Sequence, residues 1–176
     1  MSRCIRMTPR LPVLCLLSAA LGLAGCAHYQ LGTDGRLAFA TLYVEPVANK
    51  TLLPQAQAIV STQLREAFNQ DARVTLVNSA PEADATLTVV IRDYHREIAA
   101  VREDDTGLAR KFALTLGTEC TLRDRRSGKV LFADRAVSVR RDAFTDGGQL
   151  QSEYQTLPLL AEALAQKISH AVLDVW

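Results

Sequence analysis

A run of alternating residues near the middle of the chain limits the fold more than any other feature. Between residues 111 and 123, one face would carry Phe112, Leu114, Leu116, Thr118, Cys120 and Leu122. The positions between them include Lys111, Glu119 and Arg123. This period of two is typical of a β-strand with one buried face and one solvated face. The sequence therefore predicts a half-buried strand that needs a covering layer.

The segments on both sides of this strand predict two further strands. Residues 85–94 alternate in the same way, and the pattern continues toward Ile98. The polar residues 102–107 then suit a hairpin connection, and residues 125–128, Arg-Arg-Ser-Gly, suit a second turn. Residues 130–140 return as another strand. Short connections of this kind predict a three-stranded antiparallel meander.

The first half of the domain predicts a strand, a helix and a strand. Residues 37–45 favour a strand that stops at Pro46, and residues 55–69 have apolar positions at helical spacing after Pro54. Residues 73–77 form a second short strand, and a turn follows at residues 79–81. A strand–helix–strand unit of this length favours a parallel pair.

A second amphipathic helix closes the chain. Pro158 is expected to mark its N-terminal turn, and its apolar stripe consists of Leu157, Leu160, Ala161, Leu164, Ile168, Ala171, Val172 and Val175. The order β–α–β–β–β–β–α predicts an α+β fold. We expect one domain over residues 37–176, a two-layer sandwich with a mixed sheet of four to five strands and two helices packed on one face.

The N-terminus carries an export signal. Arg3, Arg6 and Arg10 precede an apolar run over residues 11–23, which is shorter than the roughly 20 apolar residues that a membrane span needs. The run ends in Leu-Ala-Gly-Cys at residues 23–26, which resembles the bacterial lipoprotein signal. That resemblance implies that residues 1–25 are removed and that Cys26 carries a diacylglyceryl group and an acylated amine. Several acyl chains would anchor the protein to a membrane.

Without residues 1–25, the chain would be almost neutral and would have a single free thiol. Residues 26–36 are expected to be a lipidated tether, with a reach of roughly 35 Å after the anchor. Without the three arginines of the signal, 17 basic residues stand against 19 acidic ones. A binder of nucleic acid would be basic overall, so we expect none. Cys120 would be the only free thiol, and its place on the apolar face predicts a small buried side chain.

The sequence contains no recognisable catalytic constellation. The three histidines, His28, His95 and His170, are far apart, and no HExxH, CxxC or other close cluster of His, Cys and Asp ligands accompanies them. A G-x-S-x-G motif is absent. The adjacent carboxylates Asp104 and Asp105 are most simply interpreted as residues of a turn. We therefore expect a protein that is not an enzyme and that uses neither a cofactor nor a metal.

Basic residues form two clusters that the meander would place at opposite ends. One cluster is Arg102, Arg110 and Lys111, and the other is Arg123, Arg125, Arg126 and Lys129. Two interpretations remain open at this stage. The cations could belong to solvated turns and charge-protected strand edges, or one cluster could bind a phosphorylated ligand, since guanidinium groups match phosphate geometry.

Three segments together resemble the LptE family of lipopolysaccharide-assembly lipoproteins. They are residues 26–31, Cys-Ala-His-Tyr-Gln-Leu, residues 44–54, Val-Glu-Pro-Val-Ala-Asn-Lys-Thr-Leu-Leu-Pro, and residues 83–87, Ala-Asp-Ala-Thr-Leu. The resemblance implies an outer-membrane lipoprotein that plugs the β-barrel LptD and delivers lipopolysaccharide to the cell surface. It also implies a lipopolysaccharide contact in the loop between the first two meander strands, where Arg102 lies. The loop at residues 144–148 has no Lys or Arg, which leaves a second basic contact there unsupported.

Three other functions are alternatives to this one. An accessory lipoprotein of a lipid-transporting ABC system fits the same anchor and domain. An activator of wall synthesis must reach away from its membrane, which the short tether opposes, and a periplasmic hydrolase lacks a reactive site. The residue after Cys26 is Ala27. In enteric bacteria, an Asp at this position resembles a signal for retention in the inner membrane, so Ala27 favours the outer membrane.

Overall fold

The computed structural model describes residues 37–101, 109–145 and 149–174 of the chain. In chain order its elements are β1 (Thr41–Val44), β2 (Ala48–Asn49), α1 (Gln55–Asn69), β3 (Thr75–Leu76), a 3₁₀ turn (Ala80–Glu82), β4 (Ala85–Val101), β5 (Ala109–Asp124), β6 (Val130–Phe144) and α2 (Gln149–Leu173). This is the expected α+β arrangement, with an open mixed sheet and two helices.

The sheet has the order β3-β1-β4-β5-β6, and the short strand β2 pairs with β4 beside β1. Strand β1 is parallel to both β3 and β4, so the predicted parallel pair on either side of α1 is confirmed. Strands β4, β5 and β6 are antiparallel, which confirms the meander. Strand β4 therefore joins the parallel part of the sheet to the antiparallel part.

The predicted alternation of β5 is present in the structure. Its helix-facing side chains are all buried: Phe112, Leu114, Leu116, Thr118, Cys120 and Leu122. The two helices supply the other half of this core through Ala56, Val60, Leu64, Ala67 and Phe68 of α1 and through Leu157, Leu160, Ala161, Leu164, Ala165, Ile168 and Val172 of α2. Apolar stripes on two helices thus cover the apolar face of one sheet. The removal of this apolar surface from water is the main favourable contribution to folding.

The largest error of the sequence prediction concerns the start of α2. The helix begins at Gln149, and Pro158 lies inside it instead of in its first turn. Proline lacks a backbone N–H and is favoured in the first turn of a helix, where that N–H has no partner, so in a sequence Pro158 indicates a helix start. Pro158 is exposed, so its ring does not disturb the core.

Smaller differences occur at the strands. Strand β1 is shorter than residues 37–45, while β4 continues to Val101 and β6 to Phe144. Strand β2 and the 3₁₀ turn were not predicted as elements. Two residues are too few to give a periodic pattern, so β2 can only be recognised from its pairing with β4.

Cys120 is a buried free thiol, as predicted, and its side chain packs within the core. Burial raises the pKa of this thiol to about 11, because the apolar surroundings disfavour the thiolate. The thiolate is the reactive form of cysteine, so Cys120 is protected from oxidation in the folded protein. Within the described ranges, the helices are not long and apolar enough to cross a membrane.

The two-layer core predicts a large difference between two leucine substitutions. Leu164 of α2 is fully buried, whereas Leu52 is fully exposed in the turn after β2. Replacing Leu164 with alanine should lower the free energy of unfolding by about 2–5 kcal/mol, because it leaves a cavity. Leu52→Ala should change it by less than about 0.5 kcal/mol. Urea unfolding measures both values, and similar losses for the two variants would contradict this packing.

Candidate functional site

The distal pole is the end of the meander where β4 ends, β5 begins, β6 ends and α2 begins. The structure places Arg110 and Lys111 there, at the start of β5. Arg110 is exposed, while the ammonium group of Lys111 lies 2.8 Å from Asp142 Oδ2 and 6.0 Å from the centre of the Phe144 ring. Arg102, the third residue of the predicted cluster, lies outside the described residues.

The first turns of α2 are fixed to this pole by a polar anchor. The hydroxyl of Tyr94 donates to one carboxylate oxygen of Glu153, and Arg96 Nη1 lies 3.0 Å from the other oxygen. The guanidinium of Arg96 also stacks over Phe112, 5.0 Å from the ring centre. Burial raises the pKa of the Tyr94 hydroxyl above its usual value, and the hydrogen bond to Glu153 adds to this. The anchor joins α2 to the far half of β4.

The distal pole also exposes a group of apolar side chains. Of the eight large apolar side chains that are exposed in the described part of the chain, five lie here: Ile98, Val101, Phe144, Leu150 and Tyr154. Leu150 is 78% and Tyr154 69% exposed, one helical turn apart on α2. Apolar groups this exposed are unfavourable in water and often mark an interaction surface.

Cations beside exposed apolar groups suit an amphiphilic ligand. The ammonium group of Lys111 and the guanidinium of Arg110 can bind an anionic headgroup, and the surrounding side chains can cover acyl chains. The sequence identified the cations of this pole but missed its apolar component. Leu150 and Tyr154 show the i, i+4 spacing of a helix face, but α2 was expected to begin only at Pro158.

The second predicted cluster lies at the proximal pole, which consists of the turn between β5 and β6 and the 3₁₀ turn that precedes β4. Strand β5 separates it from the distal pole by roughly 45 Å. Arg125 donates from Nε to the carbonyl of Ala83 at 3.1 Å and from Nη2 to the carbonyl of Pro81 at 2.7 Å. Arg123 donates to the carbonyl of Gly128 at 3.3 Å. Both guanidinium groups thus bind the protein's own backbone.

A carboxylate organises the rest of the proximal pole. Asp84 Oδ2 accepts the backbone N–H groups of Ala40 and Thr41, both at 3.1 Å, and Asp84 Oδ1 lies 2.7 Å from Arg126 Nη2. These two backbone hydrogen bonds hold the pKa of Asp84 below its usual value, and Arg126 contributes less. The side chain ties the start of β1 to the start of β4.

An open cavity of about 520 Å³ lies beside this carboxylate, with Arg73 and Arg126 in its lining. Arg73 is already paired with Asp71 at 2.7 Å and with Asp174 at 2.8 Å. The cations around the cavity are therefore compensated by carboxylates of the same chain. Arg73, Arg125 and Arg126 therefore all contribute contacts within the fold.

The open face, which is the sheet face away from the helices, is polar over the meander. It carries ion pairs between Arg92 and Glu119 at 2.6 Å, between Lys111 and Asp142 at 2.8 Å, and between Arg140 and Glu97 at 3.6 Å. His95 lies between Asp93 and Glu97 on the same face. Exposed pairs of this kind contribute little to stability, so their role is to keep this face polar.

The two described histidines lie at the surface. His95 belongs to the open face, and His170 pairs with Asp174 at 2.6 Å on the last turn of α2. Among residues 37–101, 109–145 and 149–174, no group of three or more His, Cys, Asp or Glu side chains is placed to hold a metal ion. His28, Asp104 and Asp105 lie outside these ranges.

Comparison with protein families identifies the chain. The model of the family LptE, described as lipopolysaccharide-assembly, matches residues 39–172. This range includes every helix and strand of the domain except the last residue of α2. The chain belongs to the LptE family. LptE proteins are non-catalytic assembly lipoproteins of the cell envelope. No curated protein sequence matches the chain.

Solved structures have the same fold at low sequence identity. A minor lipoprotein from Acinetobacter baumannii is 19% identical, with a TM-score of 0.52 over 78% of this chain and 96% of that one. Lipoprotein B from Nitrosomonas europaea is 16% identical, with a TM-score of 0.52 over 82% and 87%. A protein of the DUF330 family from Xanthomonas campestris is 13% identical, with a TM-score of 0.59 over 79% and 86%. These likenesses show that the chain shares its fold with two lipoproteins and with the Xanthomonas campestris protein.

The role of Asp84 predicts a pH-dependent loss of stability. Its folded pKa is depressed, so its contribution is present above the usual value of 3.8 and is lost as the pH falls through the folded pKa. Replacing Asp84 with asparagine should lower the free energy of unfolding by about 1 kcal/mol at pH 7. The difference from the unchanged protein should shrink below pH 3.8. Urea unfolding across this range measures it, and a difference that is independent of pH would contradict the role of the charge.

Proposed function

We propose that this protein is an outer-membrane lipoprotein that plugs an LptD-like β-barrel and contacts lipopolysaccharide through its distal pole. Membership of the LptE family supports a role in lipopolysaccharide assembly. The barrel partner, the outer-membrane location and the direct contact with lipopolysaccharide are the parts that this proposal adds.

The proposed contact with lipopolysaccharide is supported by the combination of charges and apolar surface at the distal pole. Lipopolysaccharide has phosphate groups next to several acyl chains, and a site for it needs both cations and apolar contacts. Arg110 and Lys111 supply the cations, although Lys111 also pairs with Asp142. Phe144 lies beside Lys111, and Ile98, Leu150 and Tyr154 add exposed apolar surface on the helix side of the same pole. The proximal pole lacks this combination, because Val130 is the only exposed large apolar side chain that the described residues place there.

The membrane attachment rests on the N-terminal sequence. In the proposed form, residues 1–25 are removed, Cys26 carries the acyl chains, and residues 26–36 connect this anchor to the domain. A tether of this length keeps the domain within roughly 35 Å of the membrane surface. The domain would then stand next to a barrel in the same bilayer.

The open face supports the proposal that the domain plugs a β-barrel. The lumen of an outer-membrane barrel is polar, so a plug needs polar outer surfaces that can hydrogen-bond with the wall. The ion pairs Arg92–Glu119 and Lys111–Asp142 give the open face this character. Both helices cover the opposite side of the sheet, so the core stays closed while the open face meets a wall.

The distal pole predicts charge-reversal effects on lipopolysaccharide binding. Arg110→Glu combined with Lys111→Gln should weaken binding of the full chain to lipopolysaccharide by about tenfold, because two cations are lost. Fluorescence titration with purified lipopolysaccharide measures this effect. Lys111→Gln avoids placing a second carboxylate beside Asp142.

The matched control lies at the proximal pole. Lys129→Glu changes the net charge by two units, against three for the distal variant, in the exposed turn between β5 and β6 and should leave the affinity within about twofold. Circular dichroism checks that each variant is folded. Equal losses at the two poles would indicate attraction by overall charge and would contradict a distal site.

The barrel partner predicts the result of an affinity purification. The lipidated protein, purified with mild detergent from envelope membranes, should bring down a large β-barrel protein. A Cys26→Ala variant should lose the membrane anchor and appear in the soluble fraction. Recovery of inner-membrane ABC components without a barrel would overturn this part of the proposal and support the accessory role in lipid transport.

A further inference from the structure

The first turns of α2 are held in place differently from the rest of the helix. From Leu157 onward, α2 presents a row of buried apolar side chains to the sheet. The side chains of residues 150–156, which we name the flap, are all exposed or only partly buried. The polar anchor at Glu153 holds the flap, and the hydroxyl of Ser152 donates to the carbonyl of Phe144. The flap is thus attached mainly by polar contacts.

The helix has two weak points where the flap meets the buried part of α2. Pro158 has no N–H group, so the helix cannot form the usual bond from this residue to the carbonyl of Tyr154. The hydroxyl of Thr156 donates to the carbonyl of Ser152 at 2.7 Å, a contact that often bends helices. Sharp bends in helices occur at proline and where a side chain joins the backbone ladder. The flap can therefore tilt about residues 156–158 while the buried part of α2 stays in place.

The sheet under the flap is apolar. Ile98 of β4 and Ala143 of β6 both pair with Phe112 of β5, so these three side chains point to the helix side. Phe112 is 8% and Ala143 4% exposed, whereas Ile98 at the rim is 63% exposed. Because Ser152 is bonded to Phe144, the neighbour of Ala143, the flap lies over this end of the sheet. A tilt of the flap would uncover an apolar slot.

The rim of this slot indicates what can enter it. Arg110 lies two residues before Phe112 on β5, so its side chain stands on the same face of the sheet, and it is exposed. An apolar slot takes up an acyl chain, because burial of each chain carbon is favourable. A guanidinium at its rim binds an anionic headgroup. The slot and its rim together fit one molecule that has both parts.

We propose that the flap tilts at Pro158 and that an acyl chain of an anionic lipid enters between the flap and β5, with the headgroup at Arg110. Phe112 and Ala143 form the floor of the slot, and the bonds of Glu153 keep it closed when it is empty. The identity of the lipid as lipopolysaccharide rests on the proposed function. The movement of the flap does not.

The reactivity of a thiol placed under the flap tests its movement without an added ligand. Ala143→Cys introduces this thiol into the full lipidated chain, anchored in phosphatidylcholine vesicles. Glu153→Ala should speed its reaction with a maleimide by about tenfold, because the flap loses two contacts. Tyr94→Phe, which removes one of them and keeps all charges, should speed it by about threefold. Amide hydrogen exchange of residues 150–156, which needs no cysteine, should follow the same order.

Two controls distinguish the flap from opening of the whole domain. Gln155→Ala changes an exposed side chain of the flap and should leave the rate within about twofold. The buried Cys120, measured in the same sample by mass spectrometry of peptides, should keep its rate in every variant. Equal acceleration at Cys120 would show that the domain opens as a unit and would overturn the flap. Unchanged labelling together with unchanged exchange of residues 150–156 would also overturn it.

Added lipids test the occupant of the slot. In the Glu153→Ala form, vesicles that also contain lipopolysaccharide should slow labelling of Ala143→Cys by about tenfold, because an acyl chain covers the thiol. Lipopolysaccharide without its acyl chains keeps the phosphates and should leave the rate within about twofold. Equal protection by both forms, or protection by no anionic lipid, would overturn the slot. Protection by phosphatidylglycerol and not by lipopolysaccharide would support the slot and refute lipopolysaccharide as its occupant.

The affinity for lipopolysaccharide provides a second measurement. Tyr94→Phe should strengthen binding by about threefold, because less free energy is needed to open the flap. Pro158→Ala restores a backbone bond at the bend and should weaken binding by a similar factor of about three. Binding of the form without acyl chains should change in neither variant. Weaker binding in Tyr94→Phe would contradict a flap that must open.

Discussion

The structure depends on the first half of β4, which is paired on both edges. Strands β1 and β2 hold one edge, β5 holds the other, and the side chains of Ala85, Leu87, Val89 and Ile91 under the helices are fully buried. Backbone pairing holds residues 85–87 and 90–91 from both sides, so these residues can be buried at little polar cost. Beyond Ile91, no strand within the described ranges pairs with the outer edge, and most residues of β4 are exposed. The rigid and the accessible parts of the domain are therefore two halves of one strand.

The sequence predicted those elements that have a strong period of their own. Helix α1 occupies the expected residues 55–69, and the alternation of β5 was visible because one of its faces is apolar throughout. The start of α2 was missed because its first turns carry few buried residues and are held by Glu153 through Tyr94 and Arg96. Contacts between residues almost 60 positions apart leave no local signal in a sequence. The same limit explains why β2 was not expected.

The two basic clusters show why residue type alone did not identify a site. Arg125 has its acceptors at Pro81 and Ala83, and Arg126 has its partner at Asp84, so these cations close the proximal end of the fold. Sequence placed both clusters at opposite ends but left open which of them could serve a ligand. The decisive difference is the surface around Arg110 and Lys111, where apolar side chains are exposed instead of backbone carbonyls. Such surroundings depend on how the strand ends and the helix start come together.

The charges of the open face have a consequence for how it meets another surface. Arg92, Lys111 and Arg140 are each matched by a carboxylate a few ångströms away, so their fields nearly cancel beyond the first layer of water. A surface of this kind neither attracts nor repels a partner from a distance, and association with it proceeds at the slower rate of unsteered encounters. Recognition then takes place at contact, where the pairs exchange partners. The rate of such an encounter should vary little with ionic strength.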